Sequence, residues 1–389
     1  MTDAQHRPPS GTGAPVGERA VPFAPAYGEA SLADLSRSLL ACLGLPVPNP
    51  LGLEPAGRVC LLLVDGMGAD LLDAHPGCAP FLTAHPRRTL TAGFPSSTPT
   101  SLATLGTGAV PGEHGIVGVQ MAVPGEGRLL HCLRWTAPGG PPINPDAWQP
   151  AETAYQRLAA HGIEPVYVAP PYFRDTGLTR AVYRGTRHWG ADTVDDRVEG
   201  ARRALQESRF VIVYYGEVDL FGHLKGWGTP EWLEQVAIVD RMAERIADGL
   251  PPGSVLYVTA DHGMVNAGER IDFDARADLQ EGVRLLGGDG RARHVYTVPG
   301  ATADVLAAWR AALHGRAWVV TREEAVEAGW FGKVVKREWL GRIGDVLAVS
   351  YGDTVVIASE REPLESRLIG VHGSLTPAEQ NVPLIEIRR

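Results

Sequence analysis

Residues 58–68 read RVCLLLVDGMG. Six apolar residues, Val59–Val64, run without interruption and stop at Asp65 and Gly66. A run this short and apolar on every side chain fits a strand buried on both faces of a parallel sheet. Two later stretches share the design: RFVIVYYGEVD at 209–219 and SVLYVTAD at 254–261. Each ends in a carboxylate. Between them lies PEWLEQVAIVDRMAERIADGL, with apolar Leu233, Val236, Ala237, Val239 and Ile246 at helical spacing and Pro230 suited to a first turn. Further helices are expected at 31–42, 151–160, 193–205 and 301–313. Strands alternating with helices predict an α/β fold, a mainly parallel central sheet flanked by helices. Ligands of such sheets bind beyond the carboxyl ends of the strands.

The rest of the chain divides around this frame. Residues 1–27 are rich in Pro, Gly and Ala without periodicity, which predicts a flexible tail. Residues 28–389 are expected to form the one folded domain, the catalytic one if the chain is an enzyme. Within it, about 265–345 reads differently: the Gly-rich VRLLGGDGRAR, RHVYTVPG and RAWVVTREEA suggest a smaller insert with its own strands, placed to cap the site.

The 389 residues carry a net charge of −9 and 44% hydrophobic side chains, which is ordinary for a globular chain. The negative balance argues against a nucleic-acid polymer as partner. It leaves room for a small anionic substrate, because bound cations can reverse the local field. No stretch approaches the roughly 20 apolar residues of a membrane span, and the N-terminus lacks the apolar core of a secretory signal. Cys42, Cys60, Cys78 and Cys132 form no CxxC pair. They read as small buried side chains in a reduced, cytoplasmic setting. Nothing in the sequence sets the oligomeric state.

The chemistry gathers at element ends. Asp65, Asp219, His223, Asp261, His262 and, late in GVHGSL, His372 are types that bind zinc and similar divalent ions. Asp219 and His223 stand four apart in DLFGH, so a helix would put both on one face. A strand-end Asp alone often caps a helix, and a lone DxxxH pair is weak. The signal is the joint pattern, three acids and three of the chain's 12 histidines at successive element ends. In GFPSSTPTSLATLGTGAVPGEHGIVG, Pro99 suits a first turn and makes Thr98 the expected N-cap. A hydroxyl there also meets any anion held by the helix N-terminus, and a metal ion can turn it into an alkoxide.

At this point the residues resemble the alkaline phosphatase superfamily, and within it the type I phosphodiesterase/nucleotide pyrophosphatase branch. The matching segments are LVDGM at 63–67, FPSST with Thr107–Gly108 after it, PGEHGI at 111–116, DLFGH at 219–223, ADHGM at 260–264 and VHGS at 371–374. The resemblance implies two metal ions, usually zinc, about 4 Å apart as in other two-metal sites. Manganese or iron also suits mixed Asp/His ligands. Asp65, Thr98, Asp261 and His262 would surround one ion; Asp219, His223 and His372 would hold the other. Thr98 would attack phosphorus and form a phospho-threonine. Two positions depart from the branch. Its Asn three residues after the nucleophile is Ser101 here, and HGIVGVQM lacks the Asn that usually follows HGI, with Gln120 nearby.

The expected activity is hydrolysis of phosphodiester or pyrophosphate bonds in small, nucleotide-like molecules. A phosphomonoesterase or phosphonate hydrolase on the same scaffold is the alternative, and a non-catalytic metal-binding homologue is a third. A monoester dianion wants an extra cation such as Arg. A diester leaves room for an apolar or aromatic platform, for which Tyr172, Phe173, Arg174, Trp135 and Trp148 are candidates.

Overall fold

The computed structural model describes residues 24–389. Of the expected tail, residues 1–23 lie outside the described residues. Residues 24–27 pack on the body: the Tyr27 hydroxyl donates to the Trp330 carbonyl at 3.1 Å and accepts from the Phe94 N–H at 2.9 Å.

In chain order the body opens with α1 (Leu32–Cys42), β1 (Arg58–Val64), β2 (Arg87–Thr91) and α2 (Thr98–Thr107). It continues through β3 (Val166–Ala169), β4 (Arg187–Gly190), α3 (Val194–Glu207), β5 (Phe210–Tyr215), α4 (Glu217–Lys225), α5 (Pro230–Asp248) and β6 (Ser254–Ala260). A second unit comes next, with β7 (Val283–Asp289), β8 (Ala292–Thr297), α6 (Thr302–Ala312), β9 (Ala317–Thr321) and β10 (Val346–Ser350). The chain then returns to the body as β11 (Asn381–Arg388).

The main sheet has the order β2-β11-β6-β1-β5-β3-β4. Every pairing from β6 to β4 is parallel; β11 runs antiparallel to both β6 and β2. The three apolar runs occupy its centre. Every residue of β5 and β6 is buried, as are Val59–Val64 of β1. That two-sided burial explains why these strands lack polar/apolar alternation. Burying one such Leu or Ile contributes roughly 1.5–3 kcal/mol, so a polar substitution here would break the fold before it touched the site.

Register turns this core into a scaffold. Val64 pairs with Tyr215 on one side and with Ala260 on the other. The three central strands therefore end level, and the segments that leave them converge. Gly66 makes the first turn at φ +74°, where an added Cβ would sit 2.9 Å from the Asp219 backbone. Only glycine allows that backbone and that approach without strain.

The inserted unit has its own antiparallel sheet, β7-β8-β10-β9, and its own core around Leu286, Val295, Trp309, Val346 and Val356. It runs past residue 345, because 346–350 forms the strand between β8 and β9. A fully buried ion pair ties it to the body. Arg291, in the turn after β7, donates to both carboxylate oxygens of Glu379 at 3.1 and 2.7 Å. No helix among the described residues is long and apolar enough to cross a membrane.

Candidate metal centre

Asp65 and Asp261 sit one residue past the ends of β1 and β6. Asp219 does not end a strand. It lies in the first turn of α4, after β5 has stopped at Tyr215, and α4 carries His223 one turn on. His223 Nε2 is 3.1 Å from Asp219 Oδ2. His372 comes directly after Gly370–Val371, a short strand paired with Val265–Asn266. Its Nε2 lies 3.8 Å from Asp219 Oδ1.

Thr98 heads α2, but one place later than expected. Ser97 is the N-cap, with extended backbone at φ −137°, ψ 147°, and Thr98 is the first helical residue. Pro99 then occupies the second position, where its missing N–H costs nothing. The shift puts Thr98 Oγ1 3.4–3.5 Å from the Asp65 carboxylate and 3.2 Å from His262 Nε2. His262 Nε2 is also 3.3 Å from Asp261 Oδ2 and 3.5 Å from Asp65 Oδ1.

The seven expected side chains thus meet in one place. Ligand atoms of Asp219, His223 and His372 lie within 4.8 Å of one another, and so do those of Asp65, Asp219 and His262. The two groups share Asp219, which bridges them, and the His262 and His372 rings stack between them with centroids 3.6 Å apart. Each imidazole is oriented through its other nitrogen. Nδ1 of His223, His262 and His372 hydrogen-bonds the carbonyls of Gly370, Gly263 and Ser96 at 2.7, 3.0 and 2.8 Å. That leaves Nε2 free to take a metal, the usual outer support of a metal-binding histidine.

The donor set fits cations. Burial, then the charges of Asp261 and Asp219, raises the Asp65 carboxyl well above its ordinary range. Burial also raises Asp261. Burial works to raise Asp219 as well, but His223, His372 and His262 outweigh it and hold that carboxyl low. At His223 burial disfavours the imidazolium, yet Asp219 overcomes it and lifts the pKa to about 9. Burial and the His262 charge push His372 well below its usual value. Two carboxylate oxygens, Asp219 Oδ1 and Asp261 Oδ2, are buried with no hydrogen-bond partner. Three acids crowded out of water, two with bare oxygens, are the arrangement that divalent ions relieve.

Some participants went unread in the sequence. Tyr214, next to last in β5, donates its hydroxyl to Asp65 Oδ2. Its register partner Leu63 lies two residues before Asp65, so strand pairing explains the contact. Asp289, read only as part of a Gly-rich turn, reaches the His372–Gly373 turn. Of the platform candidates, Trp148 is buried beneath the Arg342 guanidinium, which stacks on its ring at 3.8 Å. Phe173 faces Tyr214 with ring centroids 5.7 Å apart, and Tyr172 is exposed. Gln120 is held by Glu362 at 2.6 Å, and Ser101 is buried in α2.

The fold recurs in known structures. Murine ectonucleotide pyrophosphatase/phosphodiesterase 5 superposes with a TM-score of 0.68 at 19% identity, over 84% of this chain and 87% of that one. An inactive form of that protein has been solved with AMP. Phosphonoacetate hydrolase from Sinorhizobium meliloti 1021, in complex with phosphonoacetate, matches with a TM-score of 0.65 at 20% identity, over 86% and 91%. Among curated protein sequences, none matches this chain. A family profile described as type I phosphodiesterase / nucleotide pyrophosphatase matches residues 59–375, which takes in all seven clustered side chains. The chain therefore belongs to the type I phosphodiesterase/nucleotide pyrophosphatase family and is a hydrolase of phosphoester bonds.

Proposed function

We propose that the chain is a two-metal enzyme that cleaves phosphodiester or pyrophosphate bonds of small nucleotide-like molecules through a phospho-threonine at Thr98. The observation that carries this reading is the position of Thr98 Oγ1, at the head of a helix and within 3.5 Å of both Asp65 and His262. Asp65, Thr98, Asp261 and His262 would hold one ion, and Asp219, His223 and His372 the other. Zinc is the ion that the family resemblance implies. Bound there, divalent ions would lower the pKa of an adjacent hydroxyl and offset the charge of the phosphoryl oxygens.

The chain's own groups do the rest. The head of α2 presents its backbone N–H groups and dipole to the anionic phosphoryl oxygens. Tyr214 holds Asp65 by a hydrogen bond, and Asp65 stands within reach of the Thr98 proton. As that proton passes to Asp65, Oγ1 forms a bond to phosphorus, and the bond to the leaving oxygen breaks on the far side, towards Asp219, His223 and His372; the leaving oxygen departs with the electron pair and takes up a proton from solvent. A water then attacks phosphorus from the vacated side. That water gives up a proton to solvent, the phosphorus–Oγ1 bond breaks, and Thr98 takes back its proton from Asp65.

The reading as a diesterase is supported by the pairing of both pocket arginines, since a monoester dianion would want a free cation. Arg293 is tied to Glu362 at 3.1 and 2.7 Å, and Arg134 to Glu365 at 2.6 Å. Metal-replete protein should therefore show higher kcat/KM on bis(p-nitrophenyl) phosphate than on p-nitrophenyl phosphate. Acid-quenched turnover should leave one phosphoryl group on the peptide bearing Thr98. A monoester preference would transfer the assignment to the phosphomonoesterase alternative. Failure to trap the adduct under conditions that trap it in a phospho-threonine control would remove the covalent step.

A further inference from the structure

A cavity of about 260 Å³ opens from Thr98, along Asp219, His223 and His372, towards the inserted unit. It falls below the ~300–1,000 Å³ typical of drug-sized ligand sites, so it suits a small group. The apolar part of its wall is aliphatic, with Val119, Leu133, Val355, Ile357 and Leu368, and the rest is polar or charged. Among the described residues no Phe, Tyr or Trp lines it. The aromatic rings near Thr98, from Tyr167, Phe173, Tyr183 and Tyr214, line an adjoining space of about 140 Å³ that shares Thr98 and Leu133 with it. The only rings on the larger cavity, among the described residues, are the imidazoles of His131, His223 and His372.

Beyond the seven clustered residues, three carboxylates face this cavity: Asp289, Glu362 and Glu365. Arg293 and Gln120 satisfy Glu362, and Arg134 pairs with Glu365. Asp289 differs. Its Oδ1 accepts the N–H groups of Arg291 and Ala292 at 3.1 and 3.0 Å, which fixes the side chain in its turn. Its Oδ2 is buried with no partner. The backbone enforces this placement. Gly373, directly after His372, has φ +133°, and an added Cβ would lie 2.1 Å from Asp289 Oδ1. The Arg291–Glu379 pair locks the same turn onto the body.

A buried acceptor left bare costs free energy that a charged donor restores. Resting on the phosphoesterase assignment, we propose that this cavity receives the leaving part of the substrate and recognises a protonated amine on it, with Asp289 as the anchor. The aliphatic part of the wall would pack the carbons between that amine and the departing oxygen. A neutral donor would gain less, because charge-assisted hydrogen bonds are about twice as strong.

The test is equilibrium binding to metal-replete Thr98→Ala protein, which cannot turn the ligand over. Two diester probes have the same chain length: methyl 2-aminoethyl phosphate and methyl n-propyl phosphate, in which a methyl replaces the ammonium. The amine is expected to bind about tenfold tighter or more. That ratio should shrink towards one in the Asp289→Asn variant of the same protein and largely survive in Asp289→Glu. Equal affinity of the two probes for the Asp289 protein overturns the proposal without any further variant. So does an unchanged ratio in Asp289→Asn. Equally tight binding of methyl 2-hydroxyethyl phosphate would overturn the role of charge. Wild-type hydrolysis of bis(p-nitrophenyl) phosphate, which has no amine, keeps the two readings apart. Its absence strikes at the phosphoesterase assignment, whereas its presence without an amine preference strikes at this inference alone.

Discussion

The two halves of the centre are built differently. Asp65, Thr98, Asp261 and His262 are all buried, with Thr98 the most exposed of them at 8%. They hang from the level ends of central strands and from the head of one helix. Asp219, His223 and His372 are half-buried and come from a helix and a late connecting segment. They border the cavity beneath the inserted unit. The sealed half is rigid because the sheet core fixes it. The open half takes its shape partly from whatever docks over it. On the proposed mechanism, bond making would fall to the first and substrate selection to the second.

The strongest way to break this division is Thr98→Ala. Turnover should fall by about 10⁴-fold or more while metal content stays unchanged, as for loss of a nucleophile that works as part of a unit. Parallel assays of kcat and of metal per chain check it. Substantial residual activity would mean that the sealed half is not where the bond is made.

The open half depends on docking, so its weak point should be the ion pair between Arg291 and Glu379. Both side chains are fully buried. Removing one partner strands a charge, which costs roughly 3–5 kcal/mol. Arg291→Met should lower the unfolding free energy by about that much in denaturant titrations, and adding Glu379→Leu should recover only part of it, because Glu379 also accepts from the Ser374 N–H and the Thr376 hydroxyl. A smaller loss in the single variant would show that the inserted unit is held chiefly by other contacts.

Acid should weaken both regions through a different group in each. His114, behind α2, takes part in a 3.1 Å hydrogen bond with Thr104 Oγ1; His294 lies in β8 of the inserted unit. Burial, then nearby cationic side chains, depresses both to about 3. The folded pKa is below the unfolded value of about 6.5, so the unfolded chain binds more protons in between. The stability from each neutral imidazole is complete above about 6.5 and drains away as pH falls towards 3. At pH 5 each should have lost about 2 kcal/mol, at about 1.4 kcal/mol per unit. Unfolding free energies at pH 7 and pH 5 check this, and His114→Asn should remove only its own share of the slope. An unchanged slope in His114→Asn would place that ring in contact with water.

The same contrast separates the parts that could be read in the sequence from those that could not. The sealed half was legible because its chemistry comes directly after apolar runs: Asp65 after VCLLLV, Asp261 and His262 after VLYVTA. Three buried parallel strands require a common end, so adjacency in the fold can be had from the pattern alone. Asp219 was legible as a residue and misplaced as a strand end, since the carboxylate comes four residues after β5 stops. Thr98 was displaced by one position because both Ser97 and Thr98 can cap a helix, and a pattern does not say which backbone turns. Asp289 was not legible at all. GGDGRAR signals a turn, and nothing local says that it folds over His372; that contact comes from Arg291 finding Glu379, 88 residues away.

Tyr214 offers the smallest and sharpest test, because it touches the sealed half alone. Its hydroxyl donates to Asp65, and its ring lies against Phe173. Tyr214→Phe keeps the ring and its packing and removes one hydrogen bond from a ligand of the proposed inner ion. Loss of such an outer partner typically costs about 10–100-fold in metal affinity or activity, and a single uncharged donor should fall near tenfold. Metal titration should show weaker binding at one of two sites, with the other unaltered. If the weakened site responded to His223→Ala instead, Asp65 would belong with the open cluster. The shared position of Asp219 would then matter more than the boundary between halves.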